Sequence, residues 1–153
     1  MSRLRLMGLV ALATLGTAAL LLVACGDGEE KNDYVDEVNE VQTTFQSEVS
    51  ELGQNIDSPD QLVAFYEDTV AELEQAVQEL DDISPPEEVE ELHDQLTEEV
   101  QGLADLIQGA AEDIEQGGVA AVPGVVSELS SEGSRLQGEF SNTIDEINRE
   151  LQG

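Results

Sequence analysis

The sequence contains few cysteine, histidine and basic residues. With a single cysteine, Cys25, the chain cannot form an intramolecular disulfide. A zinc site built from several cysteine and histidine ligands is also excluded, because the chain has one residue of each kind. Only 5 Lys and Arg residues stand against 35 Asp and Glu residues, which gives a formal net charge of -30. Nucleic acid is therefore excluded as a partner, since it carries the same sign of charge.

The lone histidine, His93, limits the enzymatic chemistry that the chain could perform. Nucleophilic catalysis by serine or cysteine normally needs a base that is held by a third group, and no sequence feature sets a serine beside His93. The Asp-x-Asp-x-Asp-Gly pattern of calcium-binding loops is absent as well. We therefore predict no catalytic residue, no enzymatic activity and no cofactor.

One short pattern resembles half of a metal site. Glu90 and His93 have the Glu-x-x-His spacing that places a carboxylate and an imidazole on one face of a helix in di-iron bundles. Those sites use two such motifs, and a chain with one histidine cannot supply the second. Glu90 and His93 are thus candidate metal ligands only if carboxylates or a second molecule complete the site. The competing interpretation is that His93 is a partly exposed residue beside the apolar position Leu92.

A long apolar run occurs only at the start of the chain, in residues 6–23, behind Arg3 and Arg5. It ends in the tetrapeptide Leu22-Val23-Ala24-Cys25. A basic start, an apolar run and small residues before a boundary are the parts of an export signal. The tetrapeptide resembles the lipobox of bacterial lipoproteins. An uncleaved helix is the alternative, because the run is just long enough to cross a bilayer.

The resemblance to bacterial lipoproteins implies a location and an anchor. In that family a diacylglyceryl group is attached to the cysteine, the signal peptide is cut before it, and the new amino terminus is often acylated. It implies a signal peptide over residues 1–24, membrane lipid bound through acylated Cys25, and a flexible tether over residues 25–32. The mature protein would lie on the extracytoplasmic face of the cell membrane. The acidic, lysine-poor remainder also resembles small helical lipoproteins of GC-rich Gram-positive bacteria in composition.

Beyond the tether, apolar residues recur every three or four positions, which is typical of amphipathic helices rather than strands. This spacing also argues against disorder, which the high charge and few aromatic residues would otherwise fit. Breaks occur at Gly53 and Asn55, at two Ser-Pro pairs and at a Gly-Gly pair. The sequence predicts helices at about 33–54, 59–83, 85–116 and 122–152. We expect an all-α, antiparallel up-down bundle of four helices. A three-helix core with a loosely packed first helix is the alternative.

Glycines interrupt the third and fourth predicted helices. Each costs about 0.5 to 1 kcal/mol relative to alanine inside a helix, so their presence suggests close helix approach or a groove. An antiparallel pairing would bring Gly109 opposite Leu129 and Gly102 near Leu136, whereas Gly133 and Gly138 lie in the fourth helix. This arrangement predicts that leucine at Gly109 destabilises the bundle more than leucine at its neighbour Gln108.

The remaining polar pattern points to binding rather than catalysis. Paired acids such as Glu90-Glu91 and Glu98-Glu99 fall off the apolar stripes and indicate a solvated charged surface. Phe65, beside Tyr66, is either a packing residue at the bundle edge or an exposed contact for a partner. We expect an accessory or protein-interaction bundle that docks on an envelope protein. The alternative is a protein that binds cations or a small cationic ligand, with weak divalent-cation association at the acidic surface.

Overall fold

The computed structural model describes residues 28–53 and 56–153, and these form four α-helices without a strand. The helices are α1 (Glu29–Leu52), α2 (Pro59–Asp81), α3 (Glu90–Gly117) and α4 (Val122–Gln152). Short 3-10 turns at Glu87–Val89 and Gly118–Ala120 precede α3 and α4. The predicted all-α bundle with four helices is confirmed. The predicted signal peptide, the lipobox with Cys25, and Asn55 lie outside the described residues.

The start of α2 follows the predicted capping pattern. Ser58 is the N-cap, and its Oγ accepts a hydrogen bond of 3.3 Å from the backbone N–H of Gln61. Gln61 reaches back so that its Oε1 accepts from the backbone N–H of Asp57 at 2.9 Å. Pro59 occupies the first helical position, where its missing N–H costs nothing. This local chemistry explains why the boundary could be predicted to the residue.

Two other helix starts differ from the prediction. α1 begins at Glu29, so four residues assigned to the flexible tether are helical. Lys31 explains this extension, because its Nζ pairs with Glu88 at 2.6 Å and donates to the Leu151 carbonyl at 3.2 Å. The start of α3 was predicted at residue 85, but the helix begins at Glu90 because the chain first makes the 3-10 turn that Pro86 precedes.

The buried residues form two clusters, one at each end of the bundle. The terminal cluster joins the start of α1, the end of α2, the start of α3 and the end of α4. Its members are Tyr34, Val35, Val38, Leu80, Val89, Leu96, Ile144, Ile147 and Leu151. The distal cluster joins the start of α2, the end of α3 and the start of α4, and its members are Leu62, Tyr66, Leu73, Ala104, Ile107, Ala110, Ala111, Ile114, Val125 and Leu129. Consecutive helices therefore run antiparallel, and the described residues carry their own core.

Helix α1 is packed unevenly along its length. Tyr34, Val35 and Val38 are its buried residues, and none of residues 39–53 is buried. α1 packs mainly on α2, while α4 packs mainly on α3. The expected four-helix bundle is thus present, but its first and last helices do not close on each other in the middle. This partial closure leaves an open groove between α1 and α4.

The predicted contact between α3 and α4 holds at one glycine and fails at the other. A Cβ added at Gly102 would lie 3.8 Å from Leu136 Cδ2, as the antiparallel pairing predicts. The expectation that Gly109 closely approaches Leu129 is wrong, because Gly109 is exposed and a Cβ there would meet nothing within 4 Å. Helix α3 turns this position toward solvent, so glycine is not required there.

Candidate functional site

The groove between α1 and α4 is the candidate functional site. It has a volume of about 300 Å³, and all four helices line it. α2 and α3 form its floor, and α1 and α4 form its walls. The apolar lining residues are Val38, Val41, Phe45, Leu73, Ala76, Leu80, Leu96, Val100, Leu103, Leu106, Leu129, Leu136 and Phe140. Many of these are stripe residues that the bundle covers only in part.

Small side chains on α4 keep the groove open. Gly133 lies between Ser130 and Ser134 on the groove wall, and a Cβ added at Gly133 would meet no atom within 4 Å. A larger side chain at this position would enter space that the fold leaves empty. Gly138 also lies in α4 with open space around it, but it does not line the groove. Of the two explanations considered for the α4 glycines, Gly133 therefore fits a groove.

One carboxylate, that of Glu99, lies in the groove wall where α3 meets α4. Its Oε1 accepts hydrogen bonds from Thr143 Oγ1 at 2.8 Å and from Gln95 Nε2 at 2.9 Å. Gln95 Nε2 also donates to Thr143 Oγ1 at 2.8 Å, which closes a three-residue ring of hydrogen bonds. The second oxygen of Glu99, Oε2, is buried and accepts no hydrogen bond from any described residue. A buried polar atom without a partner is costly unless something satisfies it.

The lining of the groove is otherwise uncharged. Among the described residues that line it, Glu99 is the only ionisable one, and its polar neighbours are amides and hydroxyls. From its sequence pattern, Glu99 is expected on the solvated surface together with Glu98. That interpretation is wrong for Glu99, which is half-buried, and it holds for Glu98, which is exposed. Glu99 follows the stripe residue Leu96 by three positions, which is the helical spacing that could have indicated its inward position.

His93 is buried in the bundle rather than partly exposed. Only 4% of its surface is accessible, and both ring nitrogens have hydrogen-bond partners. Nε2 lies 3.0 Å from the Leu80 carbonyl and Nδ1 lies 3.2 Å from the Tyr34 hydroxyl. A carbonyl can only accept, so Nε2 is the donor, and in the neutral ring Nδ1 accepts from the Tyr34 O–H. The prediction of a partly exposed His93 is therefore wrong, and its role is to join α1, α2 and α3.

This arrangement does not bring Glu90 and His93 into a metal site. Glu90 is exposed, whereas the ring of His93 is occupied by its two hydrogen bonds. Within residues 28–53 and 56–153, no three His, Cys, Asp or Glu side chains are grouped so that they could hold a metal ion. Helix packing accounts for the Glu-x-x-His spacing, because one turn of α3 carries both an acid that faces solvent and a histidine that faces the core.

Phe65 is a packing residue at the edge of the bundle. It is half-buried against the distal cluster, and its ring centroid lies 5.7 Å from that of Tyr66. Tyr66 itself is buried, and burial raises the pKa of its hydroxyl. Of the two interpretations of Phe65, edge packing is thus the one that the fold supports.

None of the helices in the described ranges combines the length and the apolar character that crossing a bilayer requires. No curated protein and no solved structure shows significant similarity to the chain. Residues 28–151, which include the first three helices and all but the last residue of α4, match the sequence profile of a family described as a family of unknown function, DUF6376. Because this match spans most of its length, the chain belongs to the DUF6376 family.

Proposed function

We propose that this protein is a membrane-anchored, extracytoplasmic lipoprotein whose helical bundle binds an apolar ligand in the groove between α1 and α4. It acts as an accessory binding module and not as an enzyme. The observation that carries the proposal is the groove itself, a space of about 300 Å³ walled by apolar side chains from four helices. Ligand pockets in proteins start at roughly this volume and are mostly apolar with a few polar groups.

The size of the groove favours a narrow ligand over a partner helix. On α4 the lining extends from Leu129 to Phe140, about 16 Å at the rise of an α-helix. A helix of that length and about 10 Å in diameter occupies roughly 1,200 Å³, several times the volume of the groove. A helix could only rest on the rim, whereas a flexible chain could lie inside.

The proposed anchor would hold the groove close to a membrane. If Cys25 is the acylated residue, only residues 26–28 separate it from the start of α1. Three extended residues span about 10 Å. Two or three acyl chains would hold the bundle stably at that distance. An apolar ligand that leaves or enters the bilayer would then travel only a short way.

The anchor is tested by the variant Cys25→Ser in the producing cell. We expect the variant to lose the lipid mass and its partitioning into the detergent phase, and to keep its full signal peptide. A wild-type protein that starts at Cys25 but carries no lipid would contradict the proposal.

The groove is tested with residues 26–153, which include the four helices of the described residues, and a neutral probe, 1-dodecanol, below its solubility limit. We expect Gly133→Leu to weaken binding at least tenfold, because its side chain fills the groove. The matched control Gly138→Leu adds the same side chain to the same helix outside the groove and should bind as the wild type does. If the wild type does not bind 1-dodecanol, or if Gly133→Leu and Gly138→Leu bind it equally well, the groove is not the binding site.

The sequence also led us to expect a protein partner in the envelope. Chemical crosslinking of the anchored protein in its own membrane, followed by mass spectrometry, tests this accessory role. A partner whose crosslinks map to the rim of the groove and disappear in Gly133→Leu would mean that a protein, rather than a small ligand, occupies the site.

A further inference from the structure

We infer that the ligand of the groove is a cationic amphiphile, in which one aliphatic chain lies along the groove and a primary ammonium group pairs with Glu99. This inference rests on the proposed function and specifies the chemical class of the ligand.

The unsatisfied oxygen of Glu99 requires a donor. Thr143 and Gln95 hold the carboxylate through Oε1, while Oε2 is buried without a partner. No described side chain provides that donor, and Glu99 is the only ionisable residue among the described residues that line the open groove. An ammonium group carries three donors and the opposite charge, so the two groups form a charge-assisted hydrogen bond once the Glu99 carboxylate turns Oε2 toward the groove.

The charge of the molecule selects against other amphiphiles. The chain has a formal net charge of -30, and none of its described basic residues lines the groove. Lys31 is paired with Glu88, and Arg135 is paired with Glu132 and Glu139. A fatty acid would place its carboxylate beside that of Glu99, and a second copy of the chain would bring an equal negative charge. A cation, in contrast, is attracted at long range and paired at the site.

The volume of the groove sets the length of the aliphatic chain. A cavity of about 150 Å³ accommodates a six-carbon benzene ring, so the groove, with about 300 Å³, has room for roughly 12 carbons. Glu99 lies in the first half of α3, between the lining residues Leu96 and Leu103. The ammonium group therefore sits at the α3–α4 wall, and the chain extends over the floor made by α2 and α3.

The test compares three probes with the same 12-carbon chain, namely dodecylammonium, 1-dodecanol and dodecanoate. Each is titrated calorimetrically into residues 26–153 below its micellar concentration and its solubility limit, at low and at high salt. We expect dodecylammonium to bind at least tenfold more tightly than dodecanol, and dodecanoate to bind most weakly. Gly133→Leu should weaken all three, while Gly138→Leu should not.

The variant Glu99→Gln separates pairing from general attraction. It should reduce the affinity for dodecylammonium to about that for dodecanol, whereas the affinity for dodecanol, which carries no charge to pair with Glu99, should change much less. The matched control is Glu98→Gln, which removes an equal charge from the neighbouring exposed position. If Glu98→Gln and Glu99→Gln weaken dodecylammonium equally, the preference comes from the surface charge and the inference is overturned. Circular dichroism confirms that each variant is folded.

The outcomes also distinguish this inference from the proposed function. If dodecanol binds and responds to Gly133→Leu, but dodecylammonium binds no better, the groove is an apolar site without a cationic subsite. The inference then fails and the proposed function stands. If none of the three probes binds, both fail. Ser134→Leu provides a second filled groove should Gly133→Leu be unstable.

Discussion

At the scale of single residues, His93 shows how a polar group stabilises an apolar core. Its ring joins the Leu80 carbonyl at the end of α2 to the Tyr34 hydroxyl of α1, and it packs edge-on against the Tyr34 ring with centroids 5.6 Å apart. Carbonyls at the end of a helix have no partner within the helix. The Leu80 carbonyl accepts from the backbone N–H of Ile83 just beyond the helix, and His93 supplies a second donor from another helix, which fixes the relative position of three helices.

Removal of the His93 ring is therefore expected to destabilise the bundle. We predict that His93→Ala lowers the free energy of unfolding by about 2 to 4 kcal/mol, because it leaves a cavity and removes two buried hydrogen bonds. Asp94→Ala, at the next and exposed position, should change it by less than about 0.5 kcal/mol. Urea unfolding of the two variants measures the difference. Similar values would mean that His93 is not a structural connection.

Tyr34 should make stability depend on alkaline pH. Burial raises the pKa of Tyr34 to about 12 from its usual 10.0. Between these values the native state keeps a proton that the unfolded chain has lost, so the stabilisation is complete below pH 10 and is lost as pH rises toward 12. Two pKa units correspond to roughly 2.7 kcal/mol, of which about 2 are lost by pH 12.

The variant Tyr34→Phe isolates this contribution. It removes the titrating hydroxyl and the hydrogen bond to His93, so it should be about 1 kcal/mol less stable than the wild type at pH 8. Between pH 10 and 12 its stability should fall less steeply. Tyr66, whose pKa burial also raises, keeps some slope in both proteins. Identical slopes for variant and wild type in urea unfolding would contradict the assignment to Tyr34.

At the scale of helices, glutamine side chains form hydrogen bonds with acids on the same helix, a contact that lysine makes in other acidic helices. Four glutamines donate to an acid four positions later on the same helix. The pairs are Gln75 with Glu79, Gln95 with Glu99, Gln101 with Asp105, and Gln108 with Glu112. Such pairs support a helix by about 0.2 to 0.5 kcal/mol each without adding positive charge. They help to explain how lysine-poor helices tolerate their acids.

The glycines of α3 allow a direct test of helix packing. We predict that Gly102→Leu destabilises the bundle by about 1 to 3 kcal/mol. The new Cβ would already be in van der Waals contact with Leu136 Cδ2 at 3.8 Å, so the leucine atoms beyond it must displace Leu136. Gly109→Leu should instead stabilise it by up to about 1 kcal/mol, since the site is open and leucine favours a helix. Thermal unfolding compares the two. Equal destabilisation would place Gly109 in a contact that the fold does not show.

The helices themselves could be predicted because their signals are local. Ser58 and Pro59 fix the start of α2, and the glycines at 117 and 118 fix the end of α3. The early start of α1 could not be predicted, because it depends on contacts of Lys31 with residues far along the chain. The groove could not be predicted either, because it also depends on how helices that are distant in the sequence pack together. Periodicity predicts which face of α1 and α4 is apolar, but it does not reveal whether the opposite helix covers that face.

At the scale of the whole molecule, folding brings carboxylates of different helices together. Glu72 of α2 is the clearest case among the described groups. Its pKa is raised by a hydrogen bond with Glu48 of α1, then by partial burial, and then by repulsion from Glu48, Asp68 and Glu79. A carboxyl group whose pKa is higher in the folded state binds protons more readily there than in the unfolded chain. Its contribution to stability therefore grows as pH falls from neutral through the carboxylate range.

Other acids act in the opposite direction. The pKa of Glu88 is lowered, chiefly by its hydrogen bond with Lys31, so its contribution is present at neutral pH and is lost only when strong acid protonates it. Such stabilised acids need basic partners, and the chain has 5 basic residues against 35 acidic ones. Repulsion among acids should consequently outweigh pairing, and mild acid should remove more repulsion than it removes attraction.

We predict that residues 26–153 melt at a higher temperature at pH 5 than at pH 7 in low salt, by about 4 °C for each kcal/mol of relieved repulsion. Sodium chloride should raise the melting temperature at pH 7 by screening. Glu72→Gln should raise the melting temperature at pH 7 and reduce the further increase at pH 5. The reason is that the variant lacks the Glu72 carboxyl, whose protonation relieves the repulsion between α1 and α2. Glu74→Gln, an exposed control on the same helix, should preserve most of that gain. A melting temperature that falls at pH 5 and does not respond to salt would mean that the acids are individually stabilised, and that attraction to their partners outweighs the repulsion among them.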